Sequence, residues 1–225
     1  EVTGVAVITN SKGLKKSFRN DLSYPVISLG DPTYTLHAGD ELTRSTALDA
    51  LCHCTESFFS KKANDYSYTT AVAGITKLLP LLKKMAIEGV DALTLDDRTE
   101  LYLASIYGGL SIAITGTTLP HSLSYFLSEN YAVPHGSACA IYLDSFMHWN
   151  EANAPTLTNV FWKAIGSSLD AFVTLVKQVL PYCSVRLTEA EISALNERWN
   201  EGVLSRNWGK MTVTDVENIL KDLFG

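Results

Sequence analysis

Apolar residues recur three and four positions apart along most of this chain after Asp31, whereas the segment before it reads as short strands. The helical spacing predicts helices over about 40–60, 65–88 (with Pro80 kinking it), 94–115, 119–129, 136–152, 155–181, 188–202 and 212–223. Asp40, Asn64, Thr94, Thr118, Thr188 and Thr214 are read as their caps, and Thr188-Glu-Ala-Glu191 as a capping box. In front, Val5-Ala-Val-Ile-Thr9, the turn Asn10-Ser-Lys-Gly13 and Leu14-Lys-Lys-Ser-Phe18 predict strand, turn and strand. Pro25-Val-Ile-Ser-Leu29 predicts another short strand. A two-stranded hairpin is marginal alone, so its natural partner sheet is expected elsewhere. The pattern as a whole implies a mainly α, multi-helical bundle behind a small β-hairpin, divided into residues 1–31 and 32–225.

Composition narrows the function classes. A net charge of −6 and a pI near 5.3 argue against nucleic-acid binding, and Lys12-Gly-Leu-Lys-Lys16 is too short to form a basic stripe. No apolar run approaches the ~20 residues that span a bilayer, and no secretory signal opens the chain, so a soluble cytoplasmic protein is expected. Cys52, Cys54, Cys139 and Cys183 show no Cys-x-x-Cys spacing and are read as reduced core thiols.

The chemistry sits in two stretches. Asp49 and His53 lie four apart in Asp49-Ala-Leu-Cys-His53, within a run free of Gly and Pro, so both project from one helix face as a chelating arm. His121 follows Pro120 near a helix start, and His135 stands between Pro134 and Gly136 at the opening of another. Taken singly, each histidine fits a packing role as well as a ligand role. The chain has five histidines, however, and three of them fall beside Pro, Gly or a carboxylate one helical turn away. One carboxylate and three imidazoles suit Fe(II), Zn(II), Co(II) or Ni(II), and argue against Ca(II) or a thiolate site. His148, in Phe-Met-His-Trp, has no such setting and is read as a surface or packing residue. Cys52 and Cys54 flank His53 but point elsewhere on a helix. Gly108-Gly109, inside an apolar helix, is expected to permit close packing against the metal-bearing helices.

The segments Glu1-Val-Thr-Gly-Val-Ala-Val-Ile-Thr9, Leu42-Thr-Arg-Ser-Thr-Ala-Leu-Asp-Ala-Leu-Cys-His53 with Glu56, Gly116-Thr-Thr-Leu-Pro-His-Ser-Leu-Ser-Tyr125 and Val133-Pro-His-Gly136 resemble the iron-containing (group III) alcohol dehydrogenases in order and spacing. The likeness runs from residue 1 to about residue 150. It implies the dehydroquinate synthase-like C-terminal domain of that family, with Asp49, His53, His121 and His135 as metal ligands and Fe(II) as the metal. It also implies NAD or NADP as hydride carrier, a small alcohol or aldehyde as substrate, and a homodimer. Lys15 or Lys16 matches a lysine near the cofactor. Where the family carries a second histidine four residues after the first, this chain has Tyr125, the candidate catalytic residue: it either lines the pocket and offers a hydroxyl, a poor neutral-pH base unless its pKa is shifted, or packs in the core beside Phe126. No Gly-x-Gly-x-x-Gly or phosphate-binding loop occurs, so the chain is expected to be the metal-binding half of a dehydrogenase, inactive without its nucleotide-binding half. Two other classes compete: a metal-dependent hydrolase, which would also place His and Asp around a divalent ion, and a metal-free helical structural domain.

Overall fold

The computed structural model describes residues 3–11, 15–181, 185–195 and 201–225; for residues 15–17, 19 and 201 it describes the backbone alone. Strands β1 (Val5–Thr9) and β2 (Lys15–Arg19) pair antiparallel, Val5 opposite Arg19 and Thr9 opposite Lys15. The rest is helical: α1 (Asp40–Phe58), α2 (Asp65–Glu88), α3 (Leu95–Thr115), α4 (Leu119–Tyr131), α5 (His135–Ala140), α6 (Leu143–Asn153), α7 (Pro155–Ile165), α8 (Leu169–Val179), α9 (Glu189–Leu195), α10 (Glu201–Leu204) and α11 (Val213–Phe224). This is the expected α-helical bundle. No helix among the described residues is long and apolar enough to cross a membrane.

Helix α1 is the axis of the bundle. Leu48, Leu51, Cys52, Cys54 and Phe58 are all buried, so over its middle turns only the side bearing Asp49 and His53 is part-exposed, and α2, α3 and α5 pack around it. Gly108 of α3 lets that helix approach as expected: a Cβ there would lie 3.2 Å from the His53 Cβ and 3.3 Å from the Ala50 carbonyl oxygen. Tighter still is α5, where a Cβ on Gly136 would stand 1.8 Å from the Ser45 carbonyl oxygen and 2.8 Å from the Asp49 Cβ. Backbone rather than a flexible side chain meets it. Gly136→Ala is therefore expected to push α5 off α1 and destabilise the protein by about 3 kcal/mol or more. Chemical denaturation measures it; a change under about 1 kcal/mol would contradict the packing argument.

Several boundaries differ from the sequence pattern. The stretch 136–152 is two helices, because the chain tightens at Ile141-Tyr142, where the Tyr142 N–H donates to the Cys139 carbonyl three residues back. The stretch 155–181 breaks at Gly166, which adopts φ 64°, and Ser168 restarts the chain by capping α8. Residues 196–200 of the expected 188–202 helix lie outside the described residues. Asp40 is the first residue of α1 rather than its cap, which is Gly39, and α11 is capped by Thr212, not Thr214, through a box with Asp215. Asn64, Thr94 and Thr188 cap as expected, and α2 continues through Pro80 as one helix. No strand forms over 25–29: Val26, Ile27 and Leu29 are 99%, 75% and 92% exposed, with no ladder to join among the described residues.

Candidate metal centre

Three elements converge where α1 passes α5 and the start of α4. Asp49 and His53 stand one turn apart on α1, with His53 Nε2 3.7 Å from Asp49 Oδ1. His121 enters from the first turn of α4, its Nε2 3.3 Å from the same oxygen. His135 opens α5, its Nε2 3.8 Å from it. Ala132, in the left-handed region at φ 53°, ends α4 and turns the chain toward Pro134 and His135. The three sequence-predicted imidazoles thus surround one oxygen of the predicted carboxylate, Asp49. The imidazoles pack on one another: His53 and His121 stack at 4.6 Å between ring centres, and His121 meets His135 edge-on at 5.3 Å.

The charges and polar atoms here suit a cation. Asp49 Oδ1 and His121 Nε2 are buried at ion-pair distance from each other, yet neither has a directed hydrogen-bond partner among the described residues. Burial pushes the Asp49 carboxyl up, but His53, His121 and His135 outweigh it and hold it well below the usual carboxylate range. Burial drives His53 down to about 4 despite Asp49 beside it. Burial likewise disfavours charge on His121, yet Cys139, Glu56 and Asp49 together raise its pKa well above the ordinary value. A divalent ion at the common point would satisfy both orphaned atoms. With bonds of 2.0–2.2 Å, tetrahedral ligand atoms sit roughly 3.4 Å apart, which is the spacing the three imidazoles keep from Asp49 Oδ1.

The parts played by two residues escaped the sequence reading. Glu56 is fully buried; its Oε1 lies 2.5 Å from His121 Nδ1, and its Oε2 accepts from the Thr118 N–H at 2.6 Å and the Thr118 hydroxyl at 3.0 Å. Thr118 therefore spends its side chain on Glu56 rather than on capping α4. The signal was present: Glu56 is three residues after His53 and seven after Asp49, on the same helical face. Cys139, read as an ordinary core thiol, is buried and free but belongs to the cluster, its Sγ 3.9 and 4.0 Å from the two ring nitrogens of His135. Cys139 with Asp49, His121 and His135 forms the set whose donor atoms all lie within 4.8 Å of one another. The sulfur is nearly equidistant from both His135 nitrogens and so lies off the axis of either lone pair. His53 falls outside that set, although its Nε2 stands 3.7 Å from Asp49 Oδ1.

Tyr125 lines the same cavity, its ring parallel to His135 at 5.9 Å, and burial raises its pKa, keeping the phenol protonated. His148 is exposed on α6 beside Asp144, as expected. Cys52 and Cys54 are buried in the core and are not among the clustered donors. The backbones of Lys15 and Lys16 lie in β2, but their side chains, like Cys183, fall outside the described residues.

The sequence profile of the Fe-containing alcohol dehydrogenase family, C-terminal, matches residues 43–224. The chain belongs to that family. A 1,3-propanediol dehydrogenase of Citrobacter freundii is 27% identical over 226 aligned positions, 99% of this chain and 56% of that protein. The fold matches the iron-containing alcohol dehydrogenase of Thermotoga maritima with a TM-score of 0.86 at 30% identity, over 100% of this chain and 60% of that one. It matches the sulfoacetaldehyde reductase of Bifidobacterium kashiwanohense, solved with NAD+, with a TM-score of 0.87 at 25% identity, over 98% of this chain and 60% of that one. The chain spans less than two thirds of each of these relatives.

Proposed function

We propose that this chain is the metal-binding part of an NAD(P)-dependent alcohol dehydrogenase or aldehyde reductase, in which Asp49, His53, His121 and His135 hold one divalent cation, iron by family. The observation that carries the reading is the ring of three imidazole nitrogens at 3.3–3.8 Å around Asp49 Oδ1, with that oxygen and His121 Nε2 otherwise orphaned. When bound, the cation polarises the substrate oxygen and the nicotinamide carries the hydride.

The chain's own residues do the rest. Asp49 supplies the one negative charge among the ligands and so leaves the site electron-poor. Tyr125, protonated and facing the cavity, donates a hydrogen bond toward the substrate oxygen. Thr115, Gly116 and Thr117 complete one wall, and Ile112 with Val5, Val7 and Phe18 gives the cavity an apolar side. Residues 1–31 are assigned to the nucleotide-binding part and 32–225 to the metal-binding part; the exposed Val26, Ile27 and Leu29 support an apolar contact in that first segment.

Elemental analysis and a nicotinamide absorbance assay test this. The chain alone is expected to take up one divalent ion and to show no dehydrogenase turnover, and the full-length protein to show both. Full NAD(P)-linked turnover by this chain alone, or a full-length protein that binds no metal, would overturn the reading.

A further inference from the structure

The cavity at the candidate metal centre has a volume of about 530 Å³ and is charged opposite to the protein that surrounds it. The chain carries a net −6, yet among the described residues Asp49 is the lone carboxylate lining the cavity, already engaged with three imidazoles, while Lys62 and Arg206 both line it. Neither cation makes an ion pair with a carboxylate among the described residues. The Arg206 Nε donates to the Gly202 carbonyl at 3.1 Å, which leaves its terminal nitrogens for another partner.

These two cations are brought together by a built feature. Lys62 follows the end of α1 and Arg206 follows α10, and the two segments are locked by an antiparallel bridge between Ser60 and Asn207. The Lys61 N–H donates to the Arg206 carbonyl at 2.8 Å, and the Trp208 N–H to the Phe59 carbonyl at 2.9 Å. Ser60 and Asn207 are buried, and the Asn207 amide donates to Asn150 Oδ1 at 3.0 Å from α6. A buried polar network thus fixes the backbone on either side of two exposed cations far apart in sequence. In a cleft with low-dielectric walls, unpaired cations of one sign focus the field and attract anions.

Resting on the dehydrogenase reading, we propose that the substrate of this site is an alcohol or aldehyde that carries an acid headgroup, a carboxylate or sulfonate. The headgroup is held by Lys62 and Arg206 while its oxygen end reaches Asp49 and the histidines. A neutral alcohol leaves both cations solvated and forgoes that anchoring.

The test uses the full-length, metal-loaded protein. ω-Hydroxy acids of three to five carbons are compared with the diols of equal length, and 2-hydroxyethanesulfonate separates the sulfonate from the carboxylate class. Direct binding of butyrate and of butyramide is followed by calorimetry. The expected result is a kcat/KM at least about 10-fold higher for the acids, an advantage that weakens with added salt. Lys62→Gln and Arg206→Gln are each expected to cut the acid-to-diol ratio about 10-fold, chiefly through KM, with Arg206→Lys recovering part of the loss. Equal turnover of acids and diols with a ratio indifferent to both substitutions overturns the proposal and leaves the dehydrogenase reading standing. A raised KM for NAD(P) in place of a raised KM for the acid overturns it too, by assigning the cations to the cofactor. Tighter binding of butyrate than butyramide, lost in both variants, but with no oxidation of any alcohol, supports the anion site and sinks the dehydrogenase reading.

Discussion

His53→Ala, His121→Ala and His135→Ala each lower divalent-metal affinity by more than about 100-fold, whereas His148→Ala binds metal as the unmodified protein does. The bound is set by what is lost even when a residue that merely orients a ligand is changed, 10–100-fold, because here the donor atom itself goes. His121→Ala has the largest effect of the three: its side chain is 5% exposed, against 21% for His53 and 38% for His135, so water replaces it least readily. It also leaves the buried Glu56 carboxylate without its imidazole partner. Titration of each variant with Zn(II) or Co(II), with elemental analysis of the purified protein, measures the effect. Because imidazole and carboxylate donors bind metal only when deprotonated, affinity in every variant that retains a site falls as pH is lowered. Equal metal content in His148→Ala and the three ligand variants would remove the ligand assignment.

The clustering of these four side chains was legible in the sequence because each sits beside a residue that fixes its direction. Asp49 and His53 are related by the helical repeat, and His135 is pinned between Pro134 and Gly136 at a helix start. The constraint on Gly136 is stronger than the sequence suggested, since it is imposed by the carbonyl of Ser45 on a helix ninety-one residues earlier in the chain. Glu56 carries the same helical relation to Asp49, but its meaning lies in Thr118 and His121, which only the tertiary fold brings to it. Cys139 is one turn from His135 and was hidden by its apolar neighbours, which give a thiol the look of core. The breaks at Gly166 and at Ile141-Tyr142 were missed for different reasons. Gly166-Ser167-Ser168 is an ordinary stop-and-cap signal passed over inside a long periodic run, whereas nothing in Ala140-Ile-Tyr-Leu143 opposes helix locally. The exposed Val26-Ile27-Leu29 has strand composition, yet strands form only where a neighbour supplies the other half of the ladder.

Glu56→Gln weakens metal binding about 10–100-fold while retaining the fold, and Glu56→Ala does so with a loss of about 3 kcal/mol or more in stability. A fully buried carboxylate is tolerated only when donors surround it, and Glu56 has three: the His121 ring N–H on one oxygen, and the Thr118 backbone and hydroxyl on the other. By accepting from Nδ1, it keeps a proton there and leaves Nε2, which faces Asp49, as the nitrogen that gives up its proton to a cation. Glutamine keeps the volume but has one acceptor oxygen for two sets of donors. If that oxygen stays with Thr118, the amide N–H₂ confronts His121 and favours the tautomer with the proton on Nε2, pointed at the metal position. If it turns to His121, the Thr118 N–H is buried against a donor at the start of α4. Alanine leaves the Thr118 N–H and the His121 N–H both unpaired, about 1–3 kcal/mol each. Thermal unfolding of the metal-free variants separates the stability effect from the affinity effect, and nitrogen-15 chemical shifts of His121 report the tautomer directly. A Glu56→Gln protein with unchanged metal affinity and an unchanged His121 tautomer would show that Glu56 merely anchors the start of α4.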